Sequence, residues 1–316
     1  MGVSNAAQIL YKSVELSWEN VVYIGHELNE NDSGPCIDID ANLLGFKFNG
    51  NAGGPVYEIM RCAHTSIDSG FRVVIIADGE NRHSAKRASY ARKFNCEKNR
   101  IKAIELERKL TLCLQEGKSK LDVDEISFQL QKARKMSNYS LPEIFSCLLR
   151  EAVLQHTSSD IEFIVSDKFQ ADPIIAKRSV DGVSNLIWSS DSDFAVHNPE
   201  ALLIKDFKLS RRSNVPYDVI LWTGDGVIAD HVSTLLMNRF PAFKDNHNIF
   251  SIPKFPVLED ESDYLSRAII GCAIGCDFWE KGQVGIGPAA IMRWKQSSNN
   301  TKYSAVDRRK FFLTRL

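Results

Sequence analysis

Short runs of apolar and β-branched residues recur along the chain. They are Cys36–Asp40, Phe71–Ala77, Ile161–Val165, Ser184–Ser189, Ala201–Ile204 and Asp218–Trp222. Each is short, and such runs between turn residues predict buried strands. Helix-patterned stretches lie between most of them. That alternation predicts an α/β fold, a mostly parallel sheet flanked by helices. Ligands of such sheets bind beyond the carboxyl ends of the strands.

The stretch from Phe94 to His156 breaks the pattern. It is long, highly charged and helix-prone, with Gly117 and Pro142 as its breaks. It reads as helices projecting from the sheet, either a solvated helical hairpin or a basic arch over a site. After the strand near Asp218, a loop containing Pro, Asn and Phe leads to an apolar helix at Tyr264–Cys276. Asp277 and a Gly-rich turn, Gly282 to Pro288, follow it, and a second helix begins near Pro288, since Pro suits a first helical turn. The expected division is 1–93 and 159–260 for the α/β body, 94–158 for the helical insertion, 261–298 for the helix–turn–helix and 299–316 for a tail.

The 39 Lys and Arg against 40 Asp and Glu give a net charge of −1. That balance argues against an indiscriminate nucleic-acid coat, while leaving room for local charge. Locally the basic residues do crowd together: Arg82, Lys86, Arg87, Arg92, Lys93, Lys98, Arg100 and Lys102. No apolar run is long enough to span a bilayer, so no membrane association is expected. The start MGVSNAAQIL lacks the basic and apolar regions of a secretory signal. The seven cysteines form no C-x-x-C pair. They read as reduced, mostly buried thiols of an intracellular protein, and their spacing does not suit zinc.

Carboxylates follow several of the strand-like runs. Asp40 closes the first, Asp78 follows the second, and Asp191 and Asp193 follow the fourth. One Asp after a strand is usually a turn residue. Several on one rim suggest a site for divalent ions, because magnesium and manganese take oxygen ligands. Asp38 lies one pleat deeper than Asp40 on the same face, which makes it the weaker candidate.

Seven short motifs, in order, resemble the flap endonuclease, XPG and exonuclease I family. They are Met1-Gly2-Val3, Ile39-Asp40-Ala41, Ala77-Asp78-Gly79, Gln170-Ala171-Asp172, Ser190-Asp191-Ser192-Asp193, Gly275-Cys276-Asp277-Phe278 and Gly285-Ile286-Gly287-Pro288. The resemblance runs from the first residue to about Trp294. It implies a PIN-like α/β fold with a helical arch and a C-terminal helix–turn–helix that grips duplex DNA. It implies a structure-specific 5′ nuclease that acts by a two-metal mechanism.

By the same resemblance, two Mg2+ ions, with Mn2+ able to substitute, are held by Asp40, Asp78, Gln170 and Asp172 on one side and Asp191, Asp193 and Asp277 on the other. Lys86 and Arg92 are the expected catalytic cations. A one-residue shift in register would instead pair Lys86 with Lys93. Gly2, Phe46, Lys93, Gly285, Gly287 and Arg293 are the expected DNA contacts, and the Gly285–Gly287 turn is a place for K+. An aromatic after a strand is more often a core residue, and Phe46 is readable as one. The implied partner is branched or nicked duplex DNA with a 5′ end, bound by a monomer in the nucleus or another DNA-containing compartment.

Three departures from the family pattern bear on activity. Gln170 stands where the family has a metal-binding Glu, which brings an oxygen but no charge. Ala289 and Ala290 replace a basic pair after Gly287-Pro288. The tail Arg309-Lys310-Phe311-Phe312 lacks the Gln and aliphatic spacing of a sliding-clamp motif, so clamp binding is not expected. The first two motivate an alternative: a weakened or inactive relative that binds nucleic acid or protein without cutting. A phosphatase reading of Asp38-Ile39-Asp40 fails on Asn42, where that class has Thr or Val.

Overall fold

The structure is a computed structural model. It describes residues 11–29, 34–49, 53–79, 87–137, 141, 144–156, 158–167, 170–191, 193–198, 200–209, 215–244, 246, 249–251, 289–290 and 292–293. Of residues 87–93 the main chain alone is described.

Among the described residues seven strands form one sheet: β1 (Lys12–Leu16), β2 (Cys36–Asp40), β3 (Arg72–Ala77), β4 (Ile161–Val165), β5 (Leu186–Trp188), β6 (Leu203–Leu209) and β7 (Pro216–Thr223). Their order across the sheet is β1-β7-β6-β5-β2-β3-β4. β6, β5, β2, β3 and β4 run parallel, and β7 runs antiparallel to both β6 and β1. The expected mostly parallel sheet flanked by helices is therefore present.

The sequence pattern does not announce β1. Its sequence, KSVEL, carries only Val14 and Leu16 as buried apolar residues, so it offers the alternation of an edge strand rather than a continuous run. β6 also extends past the expected Ile204, because its outer half, Lys205 to Leu209, alternates polar and apolar beside β7.

β2 shows why the sheet is two-sided. All five of its residues are buried, and by strand alternation Ile37 and Ile39 share one face while Asp38 and Asp40 share the other. The helix α1 (Trp18–Glu27) starts at a capping box between Ser17 and Asn20, which satisfies main-chain donors that a helix start leaves open. It buries Val21 and Ile24. At Gly25 it comes so close to the sheet that a Cβ would lie 2.6 Å from Phe71 Cε1 and 2.8 Å from Leu186 Cδ1.

Helices α2 (Ala41–Phe48) and α3 (Gly54–Asp68) connect β2 to β3. Between β3 and β4 come α4 (Arg87–Gln115), α5 (Lys120–Ser137) and α6 (Phe145–Leu154). At 29 residues, α4 is about 43 Å long at the usual rise. It ends at Gly117, whose φ of 63° suits glycine in a C-terminal cap. Ser119 then caps α5, accepting from the Asp122 N–H at 3.3 Å. The two helices pair along Ala103, Leu106, Leu130 and Ala133, a small core of their own.

The expectation that the whole 94–158 stretch projects needs correction. α6 does not project. Phe145, Leu149 and Val153 are buried in the main core, and α6 packs on α3 and β4. Its apolar face was masked in the sequence by the charged residues of the two helices before it.

Three further α-helices follow, α7 (Asp172–Val180), α8 (Phe194–His197) and α9 (Gly226–Arg239), and a single 3-10 turn at Pro241–Phe243. The helix–turn–helix of 261–298 lies outside the described residues, except for a short helical stretch at 289–290 and 292–293. Among the described residues no helix is long and apolar enough to cross a membrane.

Candidate metal centre

The ends of β2, β3 and β5 lie at one level of the sheet. Asp40 is paired with Ile76 across the β2–β3 ladder, and Ile39 with Trp188 across β2–β5. The chain therefore delivers Asp40 from β2, Asp78 just after β3, and Asp191 and Asp193 from the turn after β5 onto the same rim. Asp172 comes to the rim as the first residue of α7.

Asp172, Asp191 and Asp193 each offer an oxygen within 4.8 Å of the others, and all three are buried. The Asp193 N–H donates to Asp191 Oδ1 at 3.1 Å, and the Asp191 N–H donates to Ser189 Oγ at 3.1 Å. The Ser189 hydroxyl in turn donates to Asp40 Oδ2 at 3.1 Å. One serine thus links the β2 carboxylate to the turn that carries the β5 pair.

Asp40 is 3% exposed. Its Oδ1 caps α2 by accepting from the Leu43 N–H at 3.0 Å. Burial, then the nearby Asp78 and Asp191 charges, push its carboxyl up to about 7, against the hydrogen bonds from Leu43 and Ser189. Like charges gathered in a low-dielectric place disfavour ionisation. A cation among them would reverse that.

Asp78 joins the rim through two contacts. Its Oδ1 accepts from the Ala171 N–H at 2.9 Å, fixing the residue before Asp172. Its own N–H donates to Asn42 Oδ1 at 2.8 Å. That bond fixes which way the Asn42 amide faces, and the Asn42 Nδ2 is left buried without a partner. A buried donor without an acceptor is unusual in a folded protein and is common where a ligand or water completes it.

No protein-family model matches the chain, and no curated protein does. Among solved structures the chain is similar to the catalytic core of Rad2 in complex with DNA substrate. The identity is 12% and the TM-score 0.40, over 96% of this chain and 75% of that one.

The donor set at the rim is all oxygen. It fits a hard divalent cation such as magnesium or manganese and not a thiophilic one. The raised Asp40 carboxyl fits the same conclusion, and the orphaned Asn42 Nδ2, a donor, suits a water or phosphate oxygen beside the ion rather than the ion itself. Asp40, Asp172, Asp191 and Asp193 are buried at this rim, and Asp78 is half-buried there.

Of the other expected site residues, Gln170 is half-buried and adjoins Ala171. Phe46 sits on α2, half-buried and packed against the main core. Arg293 is exposed, its Nε donating to the Ala289 carbonyl at 3.3 Å. The side chains of Arg92 and Lys93 lie outside the described residues, as do Gly2, Lys86, Asp277, Gly285 and Gly287.

Sequence reading did not single out Asn42, Ser189 or Tyr11 for the rim. The Tyr11 hydroxyl donates to the Asp191 carbonyl at 3.4 Å, across 180 residues of chain. Asn42 and Ser189 had a readable signal: small polar residues within two positions of an expected ligand. Tyr11 has none, because nothing in the sequence pattern announces the edge strand that it precedes.

Proposed function

We propose that this chain is a metal-dependent, structure-specific 5′ nuclease. It would hydrolyse phosphodiester bonds near 5′ single-strand/double-strand junctions, with DNA repair or replication as its setting. The observation that carries the reading is the meeting of Asp172, Asp191 and Asp193 within 4.8 Å of one another, with Asp40 tied to the Asp191 turn through Ser189. The ordered motif resemblance supports it independently.

In this reading Asp40, Asp78 and Asp172 hold one ion, with the Gln170 amide oxygen beside them. Asp191, Asp193 and Asp277 hold the other. Bound divalent ions supply an activated water and stabilise charge on the departing oxygen. The chain's own residues orient the phosphate: Lys86 and Arg92 from the segment after Asp78, and the Asn42 amide donor from the floor of the rim. The attacking water forms a bond to phosphorus as the P–O bond to the leaving strand breaks. Phe46 would stack on a terminal base. Gly2, Lys93, Arg293 and the Gly285–Gly287 turn, with K+ at the turn, would hold the duplex. The protein would act as a monomer in an intracellular, DNA-containing compartment.

The test is cleavage of a 5′-labelled flap duplex with magnesium and then manganese, beside an Asp191→Ala control. Cutting near the junction, lost in the control, is the expected result. Retained duplex binding without cutting in either metal would replace this reading with the non-catalytic one, which Gln170, Ala289 and Ala290 favour.

A further inference from the structure

Beneath the rim lies a charge pair that the proposed hydrolysis does not use. Asp38, in the middle of β2, is fully buried at 0% exposure. Arg178, in the last turn of α7, meets it with a two-pronged grip. Its Nε lies 3.0 Å from Asp38 Oδ2 and its Nη2 3.1 Å from Oδ1. The Nη2 also contacts Cys36 Sγ at 3.6 Å.

The residues around the pair extend its reach. The Cys36 N–H donates to Asn185 Oδ1 at 3.4 Å, and the Asn185 N–H donates back to the Cys36 carbonyl at 3.1 Å. Residue 185 immediately precedes β5. The pair therefore sits where three elements meet, and each of them carries rim carboxylates. β2 ends at Asp40, α7 begins at Asp172, and β5 leads to Asp191 and Asp193.

An ion pair is a costly way to glue such a junction. Burial raises the Asp38 carboxyl above its ordinary range even with Arg178 beside it. Two apolar side chains of similar volume would commonly hold the elements as well or better. What a planar guanidinium adds is direction, because its fork accepts a carboxylate in one orientation. On a nine-residue helix that direction matters, since rotation by one residue swings a side chain about 100° round the axis.

We propose that Arg178 and Asp38 are positioning residues: their forked pair sets the rotation of α7 on β2 and so holds Asp172 in reach of Asp191 and Asp193. The inference rests on the metal-centre reading above. Neither residue touches the ion or the phosphate; both act through Asp172.

The experiment measures Mn2+ affinity by electron paramagnetic resonance on the full chain. It compares the parent, Arg178→Lys and the double variant Asp38→Leu/Arg178→Met. Melting temperature in EDTA is recorded for each. Lysine keeps the charge and removes the fork, while the double variant keeps the packing and removes both charges. We expect Mn2+ affinity to fall about tenfold in both, the scale of outer-shell support, with the double variant melting close to the parent. Parent-like affinity in both variants would overturn the inference alone. Should the double variant not fold, Arg178→Lys decides by itself. A parent that binds no Mn2+ would overturn the metal-centre reading and this inference with it.

Discussion

At the scale of single residues, Asp40 gives the sharpest expectation. In the folded, metal-free protein its carboxyl is pushed up from 3.8 to about 7. Between those values the folded chain holds a proton that the unfolded chain has lost. This contribution to stability is therefore complete below about pH 4 and is lost as pH rises through about 7. In EDTA, the melting temperature should rise as pH falls from about 8 to about 6. Asp40→Asn should flatten that dependence and stabilise the metal-free form at the higher pH by about 1–3 kcal/mol, since each pKa unit is worth about 1.4 kcal/mol. A melting temperature that rises on acidification by as much in the variant as in the parent would count against it. Gln170→Glu is the second expectation. The added charge beside Asp172 should tighten Mn2+ binding and raise magnesium-dependent cleavage, read by titration and by single-turnover rates. Much of the rim is legible in the sequence because Asp40 closes, and Asp78, Asp191 and Asp193 follow, strands that hydrophobic pattern alone announces. The partners that hold them are not. Asn42 and Ser189 carry only the faint signal of small polar residues near a ligand, and Arg178 carries none, because their contacts span 36, 149 and 140 residues and form only once β2, β3, β5 and α7 are side by side.

At the scale of elements, the α4–α5 pair and α6 behave differently. The pair has its own small core, while much of its remaining apolar surface, Phe94, Ile101, Leu112 and Phe128 among it, faces solvent. Leu130→Asp should therefore open the pair locally, burying a charge without a partner at a cost of about 2–4 kcal/mol. Hydrogen exchange should accelerate across α4 and α5 and stay unchanged in β2 and β3, and Mn2+ affinity should be unaltered. Matching acceleration in the central strands would mean that the pair is not a separate unit. α6 is tied to the body through Gly45 on α2, where a Cβ would lie 2.8 Å from both Leu141 Cδ1 and Phe145 Cζ. Gly45→Ala should cost about 1–3 kcal/mol in denaturant unfolding, as overpacked cores do. Central strands were easy to read from sequence, since burial on both faces leaves continuous apolar runs. β1 and the outer half of β6 were not, since strands near a sheet edge carry alternating and partly polar sequences that a loop can also show.

At the scale of the whole molecule, the sheet order decides how stability is shared. Strands from the first third of the chain, β1, β2 and β3, are each seated against strands from the last two thirds, β7, β5 and β4. α1 adds to this by packing Gly25 against both Phe71 and Leu186. Gly25→Ala should thus lower the single cooperative unfolding transition rather than loosen one region, and a biphasic melt would contradict that. The near-neutral total of −1 places no global field on the molecule, so any attraction to DNA must come from local basic patches and weaken with salt accordingly.

The turn at Gly117 has a consequence for that interleaved arrangement. A break in the chain there divides it into fragments 1–117 and 118–316. Neither holds a complete sheet: the first has β1, β2 and β3, the second β4 to β7. The fragments can rejoin along three strand seams and along the α4–α5 interface. Asp40 and Asp78 travel with the first, and Asp172, Asp191 and Asp193 with the second. Co-expressed, the two pieces should complement one another and regain manganese binding that each lacks alone. The molecule is in this sense a two-part lock whose acidic rim is assembled by its own closure.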